Sequence, residues 1–271
     1  MLDTTSPRSQ QPMNPDIESE YGYYTSNPVF RKLISFAQRA PQNWFGQQLA
    51  QLVRKLVLGW GQLPIDVAVG SIKMRCYLRD NNSEKKFVFM PWRFDKRERE
   101  LLIDNLPKSG TFVDIGANVG IYTLTAATHM DSRGRVVAME PNPPAFERLT
   151  FNIKATRFGC LDWPRIDALQ VGVGDTEAEL ELHLDPKNLG SSSITTHAAG
   201  IAGRNSGGGT VRITCKPLLD ILRELSIDRV DVIKIDIEGA EDKALFPYLM
   251  GLLDVPSGIG PGSCARVSAS T

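Results

Sequence analysis

The residues best suited to bind a ligand lie where an apolar run ends. Residues 111–115 have the pattern of a buried strand that carries Asp114, and Gly116, Asn118 and Gly120 follow before a helical pattern begins. Because glycine has no Cβ, the backbone can turn tightly there and a nucleotide-like ligand can approach it closely. We therefore predict that these four residues belong to a cofactor-binding turn.

A second acidic residue is placed to bind a ribose. Glu140 ends the next apolar run, 20 residues after Gly120, and at that spacing a carboxylate accepts hydrogen bonds from ribose hydroxyls. Asp114 would repel a pyrophosphate but suits a cationic ligand. S-adenosyl-L-methionine (SAM) carries a sulfonium, an ammonium and a ribose, so the pattern favours SAM over NAD. An ordinary strand–helix–strand unit with a glycine turn is the alternative interpretation.

Two further segments carry polar residues near predicted strand ends. Asp175 follows the third core strand, at 168–173, and is predicted to accept from an adenine amino group; the alternative is a turn residue. In the fourth strand, at 230–237, Lys234 and Asp236 share one face. A buried ammonium needs a partner, which Asp114 or Asp236 can supply. Lys234 and Asp236 either form a structural ion pair or orient an acceptor hydroxyl.

Three segments together resemble the FkbM-type SAM-dependent methyltransferases: Val113 to Gly120, Met139 to Asn142, and Ile233 to Glu241. The resemblance implies a class I methyltransferase fold, which is an α/β, Rossmann-like, doubly wound parallel sheet. In that sheet the first strand lies between the second and the fourth, and a fifth lies beside the fourth. The resemblance also implies methyl transfer, usually to a hydroxyl oxygen of a sugar or natural-product intermediate.

Such a transfer needs alignment of the reacting atoms and removal of the hydroxyl proton. Asp236 is the best placed base, and Lys234 and Glu238 complete the predicted catalytic set. Asp236 and Glu238 also have the oxygen ligands to hold a divalent cation, and Glu238 suits the first turn of a following helix. We predict no metal.

Composition limits the classes of partner. Lys and Arg together number 31, as do Asp and Glu, so the net charge of zero predicts no nucleic-acid partner. No apolar run is long enough for a transmembrane helix. The cysteines show no close pairing, which favours a reduced, cytoplasmic protein; they are Cys76, Cys160, Cys215 and Cys264. The expected partner is a small-molecule acceptor, a saccharide or secondary metabolite; the oligomeric state is left open.

The chain divides into four predicted parts. Residues 1–40 are predicted to be a disordered extension, 41–110 a helical and small β region, 111–250 the SAM-binding core, and 251–271 an irregular tail rich in Gly, Pro and Ser. The sheet is therefore expected to lack its last strands, which would leave residues 230–237 at its edge. A truncated, non-catalytic remnant and an NAD-dependent oxidoreductase are the alternative functions.

Two local patterns in the 41–110 region make further predictions. Apolar residues at helical spacing indicate a helix that packs on its own domain, lies on a membrane surface, forms a dimer contact or covers the acceptor; they are Phe45, Leu49, Leu52, Leu56 and Trp60. After an alternating strand near Ile72 to Leu78, Asn81 and Asn82 suggest a turn, and Phe87 to Met90 a return strand.

Overall fold

The computed structural model describes residues 15–184, 193–195, 209–237, 248 and 266–269. The elements of the N-terminal part are α1 Pro28–Gln38, α2 Trp44–Trp60, β1 Ile65–Val69, β2 Ile72–Cys76, α3 Asn82–Phe89 and α4 Lys96–Asn105. Then come β3 Thr111–Ile115, α5 Ile121–His129, β4 Arg135–Met139, α6 Pro143–Arg157 and β5 Arg165–Leu169. The remaining elements are β6 Gly172–Gly174, β7 Ala178–His183, β8 Ser193–Thr195, β9 Thr210–Pro217, α7 Leu218–Glu224, β10 Val232–Ile235 and β11 Arg266–Ala269.

In the described part of the chain, the centre is a parallel sheet of five strands in the order β11-β10-β3-β4-β5. The first core strand, β3, thus lies between β4 and β10, and connections leave it in both directions. This order is the expected one and confirms the doubly wound α/β class. The point where the order reverses is where ligands bind in such sheets.

The two faces of the sheet are covered by different helices because strand side chains alternate between faces. On one face, Val113 and Ile233 pack with α7 residues such as Ile221. On the other, Phe112 and Val232 belong to a core shared with α1 to α5. Both faces are therefore buried, as the unbroken apolar pattern of parallel strands requires.

The expectation that residues 230–237 form an edge strand is wrong. β11, at Arg266–Ala269, pairs in parallel with β10 along its full length. The irregular tail predicted at 251–271 therefore contains a strand. Its glycines and prolines end at Gly262, and the short segment after them is free of both, which is enough for a short edge strand.

The third predicted strand, 168–173, is also revised. The chain leaves the central sheet after Leu169 and enters a second sheet at Gly172. That second sheet has the order β6-β9-β7-β8. Apolar residues continue almost without interruption from one sheet into the next, so the apolar pattern does not show where the chain changes sheets.

The N-terminal part differs from the sequence prediction at two places. Residues 28–38, predicted to be disordered, form α1, which begins where the Asn27 side chain accepts from the Val29 amide. The return strand predicted at residues 87–90 is instead the end of α3 and the residue after it. Among the helices that are described, none has the length and apolar character to cross a membrane.

Candidate active site

The glycine turn between β3 and α5 has a backbone that few side chains could replace. Gly116, Asn118 and Gly120 all have positive φ, at 74°, 51° and 94°. A Cβ on Gly116 would collide with the backbone oxygen of Asp236, and one on Gly120 would lie 2.6 Å from Leu149 Cδ1. The turn is thus pressed against the end of β10 on one side and against α6 on the other.

Glu140 holds this turn from the end of β4. Its carboxylate accepts from the backbone amides of Asn118, at 2.7 Å, and Asn142, at 2.9 Å. The side chain is almost fully buried, and burial raises its pKa to about 7 because desolvation disfavours the charged form. The predicted ribose acceptor therefore lies directly against the predicted glycine turn.

Asp114 lies beneath the turn. It is fully buried, and one carboxylate oxygen accepts from Thr123 Oγ1 at 2.6 Å. The other oxygen is 3.4 Å from Lys234 Nζ. Its charge is thus matched by that of Lys234 inside the protein, and its role in binding a cationic ligand stays a prediction.

Lys234 joins the two predicted groups of site residues. Its ammonium donates to the carbonyl oxygen of Gly116 at 3.0 Å and lies 3.5 Å from Asp236 Oδ2. The prediction that this buried lysine is paired is confirmed, and both proposed partners, Asp114 and Asp236, take part. Asp236 differs from Asp114 in that its side chain is 54% exposed, so it can meet an incoming molecule.

Asp236 opens onto a narrow cavity beside the turn. The cavity is lined by residues of four segments of the chain, among them Ser83, Asp95, Asn118, Tyr122, Lys234 and Asp236. The Tyr122 hydroxyl donates to Asp95 at 3.1 Å. Burial raises the pKa of Asp95 more than the hydrogen bond from Tyr122 lowers it, and the charges of Glu98 and Asp236 also raise it. Two carboxylates therefore share the cavity with one ammonium, an arrangement that can bind and deprotonate a polar group.

Comparison with known proteins identifies the family of this chain. The family described as Methyltransferase FkbM domain matches residues 114–255, more than half of the 271 residues. The chain belongs to the FkbM methyltransferase family. The matched stretch includes the glycine turn, Glu140, Lys234 and Asp236.

Two relatives of this FkbM-family chain carry methyltransferase names. Methyltransferase sdnD of Sordaria araneosa is 28% identical over 165 residues, which cover 53% of this chain and 62% of that protein. Methyltransferase 1 of Beauveria bassiana is 27% identical over 161 residues, with the same two coverages of 53% and 62%. The match thus spans less than two thirds of either relative.

A solved structure was also found. The crystal structure of methyltransferase FkbM from Methylobacillus flagellatus KT is 17% identical, with a TM-score of 0.32. The alignment covers 83% of this chain and 44% of that chain.

Asn81, which the sequence suggests is part of a turn, contacts the glycine turn in the structure. Asn81 caps α3 by accepting from the Glu84 amide, and its amide group donates to the side chain of Asn118 at 3.0 Å. The spacing Asn81 to Glu84 is that of a helix N-terminal cap followed by an acid in the first turn, a signal that was available in the sequence. No local sequence pattern indicates Asp95 and Tyr122, because only the folded chain brings these two residues into contact.

Two predicted site residues are not joined to this cluster. Asp175 is exposed after β6 in the second sheet, where its carboxylate accepts from Thr176 at 3.4 Å; its adenine role stays a prediction. Glu238 lies outside the described residues. Among the residues that are described, no three metal-ligating side chains gather in one place.

Proposed function

We propose that this chain is a SAM-dependent methyltransferase that methylates a hydroxyl oxygen of a sugar or natural-product type acceptor. The observation that carries the proposal is the hydrogen bond from the Asn118 amide to Glu140. It joins a glycine turn and a buried carboxylate at the switch point of a parallel sheet. Membership of the FkbM family and the names of the relatives support methyl transfer as the reaction class.

The residues present suit SAM in the cofactor role. Glu140 accepts from two backbone amides and has lone pairs left for ribose hydroxyls, and Gly116 and Gly120 allow the turn to pack closely between β10 and α6. SAM supplies a methyl group already activated by its sulfonium. The protein must then align the acceptor oxygen and exclude water.

The acceptor side of the proposal rests on Asp236. Its half-exposed carboxylate takes the acceptor hydroxyl proton, and Lys234, 3.5 Å away, holds that carboxylate in place. Asp95 and Tyr122 form another part of the same cavity and bind further acceptor hydroxyls. Glu238, which follows Asp236 by two residues, stays in the proposed catalytic set on sequence grounds alone.

The surroundings of the reaction are proposed from the same sequence features. Cys76 and Cys215 are buried and, like the exposed Cys160, are unbridged among the described residues, which supports a reduced, cytoplasmic setting. Cys264 lies outside the described residues. Residues 111–250 are proposed as the SAM-binding core, with the 41–110 region closing one side of the cavity through Ser83 and Asp95.

The test is calorimetric titration with SAM and, separately, with NAD. We expect SAM to bind and NAD not to bind. Glu140→Gln keeps the shape of the side chain but removes its charge, so it should weaken SAM binding by about 1.5–3 kcal/mol, the range for hydrogen bonds to charged groups. Asp236→Asn is the matched control and should leave SAM affinity nearly unchanged. Binding of NAD without SAM would overturn the proposal.

The pKa of Glu140 predicts a pH dependence of that titration. Ribose hydroxyls donate best to the ionised carboxylate, and burial places its pKa at about 7. SAM affinity should therefore rise about tenfold between about pH 6 and about pH 8, as the ionised fraction increases. The Glu140→Gln variant should not show this rise. The comparison therefore distinguishes ionisation of Glu140 from ionisation of groups on SAM. An equal rise in both proteins would contradict the ribose assignment.

A further inference from the structure

The helix α2 has two apolar stripes, of which only one is used inside the molecule. Gly46, Ala50, Val53 and Val57 recur at helical spacing and are buried against the domain. A second stripe, which we call the outer stripe, consists of Phe45, Leu52, Leu56 and Trp60, all exposed. The inner stripe, with the partly buried Leu58, packs against the core, whereas the outer stripe is exposed and can contact another surface.

The first and last residues of α2 are both exposed tryptophans. Trp44 is the first residue of the helix and Trp60 the last, and they are 72% and 84% exposed. Exposed tryptophan is uncommon on a surface that meets only water. Its apolar ring and polar N–H suit the boundary between water and an apolar phase, such as the headgroup level of a membrane.

The charged side chains in this part of the chain are all positive. Between Tyr21 and Ile65 there are five cationic residues and no acid, although the whole chain has 31 of each sign; the five are Arg31, Lys32, Arg39, Arg54 and Lys55. None of the five forms an ion pair with any described residue. Lys55 lies one helical turn from Leu52, so cationic and apolar groups are neighbours.

We propose that α2 docks this chain on an anionic lipid surface. The outer stripe enters the headgroup region, and the cations of α1 and α2 contact lipid phosphates and carboxylates. A second copy of the chain fits the same face less well. In a twofold dimer the same patch meets itself, which would bring the five cations together without any acid between Tyr21 and Ile65 to balance them.

Sedimentation with lipid vesicles tests the proposal. The full chain should sediment with phosphatidylcholine vesicles that contain phosphatidylserine, bind pure phosphatidylcholine vesicles weakly, and dissociate as salt is added. Leu52→Ser combined with Trp60→Ser should weaken binding to the mixed vesicles about tenfold or more. Leu161→Ser is the matched control, because it removes an exposed apolar side chain elsewhere, and should leave binding unchanged.

A second variant separates charge from apolar contact. Lys55→Glu keeps the outer stripe and should weaken binding to the mixed vesicles but not to the pure ones. All of these side chains are exposed, so thermal unfolding followed by circular dichroism should match that of the wild type. Failure of the wild type to bind mixed vesicles would overturn the proposal. So would a dimer, measured by light scattering, that the Leu52 and Trp60 substitutions dissociate.

Discussion

At the scale of single residues, two aspartates that look alike in the sequence have different surroundings. Asp114 is fully buried under the glycine turn, whereas the Asp236 side chain is 54% exposed in the cavity. Lys234 lies between them and contacts both. Asp236 is therefore the aspartate that can contact an acceptor, and Asp114 is the one that is held inside the protein.

Asp236→Asn is expected to separate catalysis from cofactor binding. The amide keeps the size of the side chain but does not accept a proton, so turnover should fall by roughly 10²–10⁴. The affinity for SAM should stay nearly the same. Single-turnover methyl transfer together with calorimetry measures both quantities. Near-normal turnover would refute the role of Asp236 as base, and loss of folding would favour a purely structural pair with Lys234.

Lys234→Met is expected to destabilise the fold. It leaves Asp114 buried without its cation and the Gly116 carbonyl without its donor, and removal of one member of a buried ion pair costs about 3–5 kcal/mol. The free energy of unfolding from a urea titration measures this. Adding Asp114→Asn should restore part of the stability, because the stranded charge is removed as well. No restoration would mean that the ammonium stabilises the turn mainly through Gly116.

At the scale of elements, the start of α3 supports the glycine turn from outside the matched family domain. Asn81 caps α3, and its side-chain amide donates to the side-chain oxygen of Asn118. The backbone amide of Asn118 in turn donates to Glu140. The three contacts connect the 41–110 region to the proposed ribose acceptor. We therefore expect Asn81, which lies far from Glu140 along the chain, to influence the affinity of the protein for SAM.

Asn81→Ala is expected to weaken both stability and SAM binding. Loss of the cap should cost about 0.5–2 kcal/mol of stability. Asn43→Ala is the matched control, because Asn43 caps α2 in the same way by accepting from the Gly46 amide. It should lower stability similarly but leave SAM affinity unchanged. Equal SAM affinity in the two variants would show that Asn118 needs no outside support.

The sequence predicts an element correctly where its apolar pattern is long. It fails where tertiary contacts determine whether a segment is a strand or a helix, or which sheet a strand joins. The strands around Asp114, Glu140 and Lys234 were found because buried parallel strands give continuous apolar runs. The apolar run at 168–173 was misassigned because the chain changes sheets within it. The run at Phe87 predicts a strand only if Asn81 begins a turn, whereas in the structure Asn81 caps a helix. Asp95 could not be found, since only the fold brings it to Tyr122.

At the scale of the whole molecule, the short strand β11 changes what the sheet exposes. It pairs with β10 from Val232 to Ile235, so the strand that carries Lys234 is flanked on both sides. The backbone of β10 is thereby removed from the sheet edge, where unpaired donors and acceptors invite association with other chains.

Proline substitution tests this pairing. Successive residues of a strand direct their amides to opposite sides, so only one of Val267→Pro and Ser268→Pro should remove a hydrogen bond to β10. That variant should lower the melting temperature by roughly 2–6 °C and increase aggregation, while the other serves as its control. Differential scanning fluorimetry with light scattering measures both effects. Identical behaviour of the two variants would argue against the pairing of β11.

The guanidinium of Arg75 has a consequence for how the N-terminal segment moves. It makes two hydrogen bonds to Asp66 and donates to the carbonyl oxygens of three residues in an irregular segment; the three are Asp16, Ser19 and Glu20. It also stacks on Phe151 of α6, 4.1 Å from the ring centre. Opening of the segment therefore breaks hydrogen bonds to a buried cation, so the segment amides that donate to Asp66, those of Gly22 and Tyr24, should exchange with solvent more slowly than the amides of an unattached loop.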